Sequence, residues 1–240
     1  MSNFIYISVF ASVVISGLSV LFLKISKPTL KLILSFSGAY LFGISVLHLI
    51  PEIYSTADKS IGVFILVGFL LQILMEFFSE GIEHGHIHIH EHATKAFPAT
   101  MMIALSIHSF LEGMPLAPNY HAIEGHTHTP LLAGIIMHNI PIAIALMSML
   151  LQSHISKNKA VFWLIVFALM TPLGTFTAFA LGENMILDVS LYFNKIMAVV
   201  IGIFLHISTT ILFEASENHR FNFIRFAIIL LGAGASMIPL

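Results

Sequence analysis

Eight apolar runs, at about 4–23, 30–50, 61–81, 97–117, 130–152, 160–182, 195–214 and 222–239, are each long enough to cross a bilayer as a helix. In hydrocarbon every backbone N–H and C=O must be satisfied within the protein, so only helices and closed barrels can span. Unbroken apolar runs, in place of period-two alternation, select helices. The expectation is an all-α polytopic membrane protein, one transmembrane domain over residues 1–240 with eight spans. Composition agrees: 58% of residues are hydrophobic and 9% charged, against roughly 25% charged in a soluble domain. The first run lacks a basic n-region and an A-x-A site, so it is expected to be a retained span, not a cleaved leader. The absence of cysteine excludes a disulfide framework, thiolate zinc sites and cysteine nucleophiles. With 10 basic against 12 acidic residues there is no electrostatic footprint for nucleic acid, and the lipid bilayer is the partner in that respect.

Basic residues orient the chain, because cytoplasmic connections collect Lys and Arg. Lys24, Lys27, Lys31, Lys95, Lys157, Lys159, Arg220 and Arg225 fall on one side, and only Lys59 and Lys195 on the other. Eight spans then place both termini on the outer side of a cell membrane, the inner membrane if the source is bacterial.

Two connections are rich in histidine. The inner one, 83–95, reads EHGHIHIHEHATK and carries His84, His86, His88, His90 and His92; the outer one, 118–130, carries His121, His126 and His128. Neutral imidazoles on flexible segments bind Zn, Cu, Ni or Co by availability. Two readings stay open, a polar connector that chelates whatever metal is offered and a buffering or sensing element for transport.

Ionisable groups at membrane depth are costly and need partners. Span four, ALSIHSFLEGMPLAP, sets His108 and Glu112 four apart on one helical face, with Ser109 beside them. Span five, AGIIMHNIPIAIAL, carries His138 and Asn139 near the same depth. If these consecutive antiparallel spans pack together, the two imidazoles and the carboxylate converge, a nitrogen and oxygen set suited to a divalent transition metal. Pro115, Pro118, Pro141 and Pro172 each remove a backbone donor and free a carbonyl one turn earlier, Pro172 interrupting span six, and Thr171 adds a weaker oxygen donor. Nearer the ends stand His48 and Glu52 in HLIPE, Glu76 in span three, and His206 and Glu214 in HISTTILFE, read as entrance and exit groups. Singly, each such residue is more often an interfacial or packing group; His108, Glu112 and His138 together favour function.

HSFLEG in span four, H-N-x-P in span five, HLIPE, TPLG in span six, the LFE stretch of span seven and a His-rich loop between spans three and four occur in order along the chain. This pattern resembles the ZIP (Zrt/Irt-like) divalent metal transporters. The resemblance implies transport of Zn2+, or of Fe2+, Mn2+, Cd2+ or Co2+, toward the cytosol, with His108, Glu112 and His138 at ligand positions and no prosthetic group. There are departures. Asn139 and Ile142 stand where family members have an acidic residue and a further ligand, Thr171 where many have Glu, and Ser109 where many have Asn. A single metal held by His108, Glu112 and His138, completed by water, Ser109 or Asn139, is the more economical expectation, and a homodimer is left open.

Three rivals remain. A haem-bearing redox protein could use paired histidines from neighbouring spans, but Glu112 one turn from His108 would sit unfavourably beside a macrocycle. A metal exporter differs only in direction. A metallohydrolase would need an H-E-x-x-H motif, which is missing, as is a phosphate-binding G-x-x-x-x-G-K loop.

Overall fold

A computed structural model describes residues 2–55, 58–79, 98–118, 129–153, 155–184, 189–213 and 222–238. Glu214 and the loop histidines from His84 to His92 and from His121 to His128 lie outside the described residues. Regular structure among the described residues is entirely helical, in eight helices. They are α1, Ser2–Ser19; α2, Lys27–Tyr54; α3, Ile61–Ser79; and α4, Ala99–Gly113, which runs into a 3-10 turn Met114–Leu116. Then follow α5, Thr129–Gln152; α6, in two parts Lys157–Ala168 and Met170–Asn184; α7, Val189–Phe213; and α8, Phe223–Ala235. Five segments, within α2, α3, α5, α6 and α7, are long and apolar enough to cross a membrane, and α1 and α8 are shorter apolar helices. Large apolar side chains such as Phe22, Phe77 and Phe213 face outward, as expected where the surrounding solvent is lipid. The chain is a polytopic membrane protein.

Local chemistry sets the helix starts. Ser26 caps α2 by accepting from the Thr29 N–H, with Pro28 following in the first turn, where its missing donor costs nothing. Ser156 accepts from the Lys159 N–H at the start of α6, and Asn222 from the Arg225 N–H at the start of α8. Each cap is followed within three residues by a basic side chain. Arg225 reaches across to the Ser35 hydroxyl on α2 (2.9 Å) and the Ile211 carbonyl on α7 (3.2 Å), which puts those three ends together. At the opposite end Asp58 accepts from both the N–H and the hydroxyl of Ser60, and these bonds, with Lys195 beyond them, hold its carboxyl below the usual carboxylate range.

The prolines act unevenly. Span two does not stop near residue 50 but continues to Tyr54, through a π-turn Ser45–Leu49 just ahead of Pro51. A proline ring crowds the carbonyl four residues back, and widening the turn relieves that clash. In α6 the break falls at Leu169, one residue after the Ala168 carbonyl that Pro172 deprives of its donor. Pro115 lies in the 3-10 turn that ends α4. Pro141, by contrast, does not interrupt α5, which is helical from Thr129 to Gln152. It removes one ladder bond, and the closely packed helix around it retains its course.

Glycines set how closely the helices approach. A Cβ at Gly68 of α3 would collide with the Val199 backbone of α7, and one at Gly202 of α7 with the Ile65 backbone of α3. Gly113 of α4 and Gly174 of α6 do the same for each other's helix, against Thr171 and Phe110, and Gly232 of α8 packs on Phe36 of α2. Lipid provides no hydrophobic drive between helices, so close backbone contact and dispersion must hold them. Gly68→Leu or Gly202→Leu is therefore expected to cost about 1–3 kcal/mol or more and lower the melting temperature in detergent. Gly234→Ala, whose Cβ would meet nothing within 4 Å, should leave it unchanged.

The cysteine-free chain also permits a direct test of sidedness. Ser26→Cys, among the clustered lysines, is expected to react with an impermeant maleimide only from the cytoplasmic face, and Ser55→Cys only from the outer face. Labelling of both from one face would overturn the orientation.

Candidate metal centre

His108 and Glu112 stand one turn apart on α4, and His138 projects from α5. All three are fully buried. Each offers one ligand atom, and the three atoms lie within 4.8 Å of one another. His108 Nε2 is 3.1 Å from Glu112 Oε1, and the two imidazole rings meet edge to face with centroids 5.9 Å apart. The His108–Glu112 contact is close but not aligned as a hydrogen bond, so neither carboxylate oxygen of Glu112 accepts one among the described residues. A buried carboxylate in that condition is stable when protonated, when paired with a protonated imidazole, or when a metal cation lies beside it. Two ligands of one tetrahedral zinc, at roughly 2.0–2.2 Å each, stand about 3.3–3.6 Å from one another, and the His108–Glu112 pair, at 3.1 Å, is slightly closer than that. The same carboxylate fills the face of His108 where a haem iron would bind, so the geometry does not favour the haem reading.

Gln72 of α3 was not anticipated. Its Oε1 lies 3.2 Å from His108 Nδ1, in a fully buried contact. With Nδ1–H donating to that amide oxygen, the Nε2 lone pair is left facing Glu112, the tautomer and orientation a metal ligand requires. The signal in the sequence was a single amide in the otherwise apolar stretch FLLQILMEFF, four residues before Glu76.

The other residues singled out are dispersed. Ser109 Oγ and Thr171 Oγ1 form a mutual hydrogen bond of 2.8 Å between α4 and α6. Thr175 adds a second tie between the same helices, donating to the Gly113 carbonyl at 2.8 Å. Asn139 is fully buried, and neither of its amide atoms has a hydrogen-bond partner among the described residues. His48 lies in the π-turn of α2 and donates from Nε2 to the Ser236 carbonyl beyond α8, 2.8 Å away. Glu52 is half-buried in the last turn of α2. His206 of α7 pairs with Glu76 of α3 at 3.4 Å.

Residues 83–238, well over half of the chain, match the family described as ZIP Zinc transporter. The chain belongs to the ZIP family. The match takes in α4 to α8 with His108, Glu112 and His138, and leaves α1 to α3, and hence HLIPE and Gln72, outside it. The zebrafish Zinc transporter ZIP1 is 32% identical over 99 residues, 40% of this chain and 30% of its own length. Zinc transporter ZIP9-B of Xenopus laevis is 26% identical over 122 residues, 50% of this chain and 40% of its own. Zinc transporter ZIP9 of Xenopus tropicalis is 26% identical over 121 residues, 50% of this chain and 39% of its own. The matched region thus spans well under half the length of these ZIP relatives.

Because Gln72 fixes His108 without itself being one of the clustered ligands, Gln72→Ala is expected to weaken divalent metal binding about tenfold or more. Cobalt titration in detergent measures this, with helical circular dichroism as the control for folding. An unchanged affinity would show that His108 needs no such support.

Proposed function

We propose that this ZIP-family chain, acting as a single transmembrane unit, carries a divalent transition metal toward the cytosol, zinc in first place, through His108, Glu112 and His138. The observation that carries the reading is a buried carboxylate that lacks a hydrogen-bond donor among the described residues and is set against two imidazoles, one from the same helix and one from a second. Three protein ligands form an incomplete shell. Such a shell suits transport, since an ion must be held firmly enough to enter and loosely enough to leave. Water, or the Asn139 amide at the next position on α5, completes the coordination. Imidazole and carboxylate together disfavour Mg2+ and Ca2+, which seek more oxygen ligands. The inward direction is what the resemblance implies, the basic residues support the orientation of the chain in a cell membrane, and the names of the relatives support zinc. On the same reading His48, Glu52 and the outer histidines His121, His126 and His128 attract the ion, and the inner histidines and Glu214 receive it.

Each ligand is expected to matter. In proteoliposomes, radiotracer 65Zn uptake by His108→Ala, Glu112→Ala and His138→Ala should fall to the level of protein-free vesicles, and Asn139→Ala should reduce it less. Wild-type uptake by His108→Ala, or transport only outward, would refute the proposal.

Acidity should act through the ligands. Metal binding requires neutral imidazole, so protons compete, and affinity is expected to weaken as pH falls through the histidine range near roughly 6.5. A zinc affinity that is flat from about pH 7.5 to pH 5.5 would contradict imidazole ligation.

A further inference from the structure

One pair of titratable side chains lies apart from the central cluster yet close beneath it. His206 Nε2 of α7 and Glu76 Oε2 of α3 are 3.4 Å apart, with side chains 10% and 25% exposed. Glu76 follows Gln72 by one helical turn on the same face of α3, a rise of about 6 Å, and Gln72 touches His108. The polar groups therefore continue from the central cluster along α3 toward the end of the bundle that carries most of the basic residues. The edge of Phe69, with ring centroids 4.9 Å apart, fixes the plane of the His206 ring. Thr209 and Thr210, on the same helix, spend their hydroxyls on the Leu205 and His206 carbonyls and do not compete for Glu76.

We propose that His206 and Glu76 form a second divalent-metal subsite, one turn inward of the central cluster, that receives the ion on its way out. The inference rests on the transport reading of His108, Glu112 and His138. Two ligands of one tetrahedral zinc, nitrogen and oxygen at roughly 2.0–2.2 Å, stand about 3.4 Å apart, and this pair has that spacing. The distance is long for a direct hydrogen bond between the two groups and short for groups that ignore each other. Two protein ligands hold an ion less tightly than three, and the greater exposure of this pair leaves its remaining coordination positions to water. Affinity thus steps down in the direction of release, which a conducting path requires. The pair lies outside the HSFLEG and H-N-x-P motifs, and Glu76 outside the family match altogether.

Cobalt(II) separates the two subsites, because its visible absorption reports coordination while equilibrium dialysis counts bound ions. The full chain in detergent is titrated as wild type, His206→Ala, His206→Gln, Glu76→Gln and His108→Ala. Histidines of the two loops are common to all five and cancel in difference. The His206 and Glu76 variants are expected to bind one cobalt fewer per chain, to keep the tighter site, and in proteoliposomes to show a lower maximal rate with KM little changed. His108→Ala is expected to lose the tighter site and keep the weaker one; an unchanged titration in that variant would mark failure of the central reading, separately from this one. A His206→Gln titration identical to wild type would overturn the second subsite, and a slower maximal rate alongside it would assign the pair to a structural ion pair instead. Loss of both cobalts with helical circular dichroism intact would contradict two independent subsites.

Discussion

A carboxylate buried among apolar helices, with no hydrogen-bond donor for either oxygen among the described residues, is the constraint to which the arrangement around Glu112 answers. In water its charge would be solvated. At bilayer depth that solvation must come from the protein or from an ion, and the alternative is a cost of several kcal/mol. Two imidazoles are brought beside it, one by helical spacing on α4 and one by the packing of α5. Neutral imidazoles do not cancel a negative charge; on the proposed reading they complete a ligand set for a cation that does. Gln72 then fixes which nitrogen of His108 faces inward. On the proposed reading, the electrostatic deficit of the site and its affinity for a divalent metal are the same property.

Holding such a site requires helices that come close together without a hydrophobic drive between them. The glycines provide this, since Gly113 and Gly174 let α4 and α6 touch backbone to backbone directly beside Glu112. The Ser109–Thr171 and Thr175–Gly113 hydrogen bonds lock the same contact. Gly68 and Gly202 do likewise for α3 and α7, the helices that bear Gln72, Glu76 and His206. Small residues and hydroxyls that look unremarkable in the sequence thus determine whether the ligands share a depth.

The number and type of helices were legible because bilayer thickness and backbone satisfaction leave few options. His108 and Glu112 were legible because i and i+4 share a face, and His138 because consecutive spans tend to be neighbours. Helix ends were less so: α2 runs on to Tyr54 because a π-turn accommodates Pro51, which apolarity alone does not reveal. That α5 runs unbroken through Pro141 was not legible for a related reason. A proline removes one bond whatever its setting, but whether the helix breaks depends on neighbours that a single sequence does not display. Gln72 escaped because a lone amide in an apolar span carries no ligand signature of its own, and the pairing of His206 with Glu76 because it joins α7 to α3, helices distant in sequence. Thr171 and Ser109, expected as oxygen donors, were found bonded to each other across α4 and α6.

Anomalous scattering at the zinc edge, from crystals of the full chain grown with zinc, tests the central claim most directly. A peak bonded to His108, His138 and Glu112 is expected, at nitrogen and oxygen distances of about 2.0–2.2 Å, and it should disappear in crystals of Glu112→Ala. Zinc found only on the loop histidines, with no peak between α4 and α5, would contradict it.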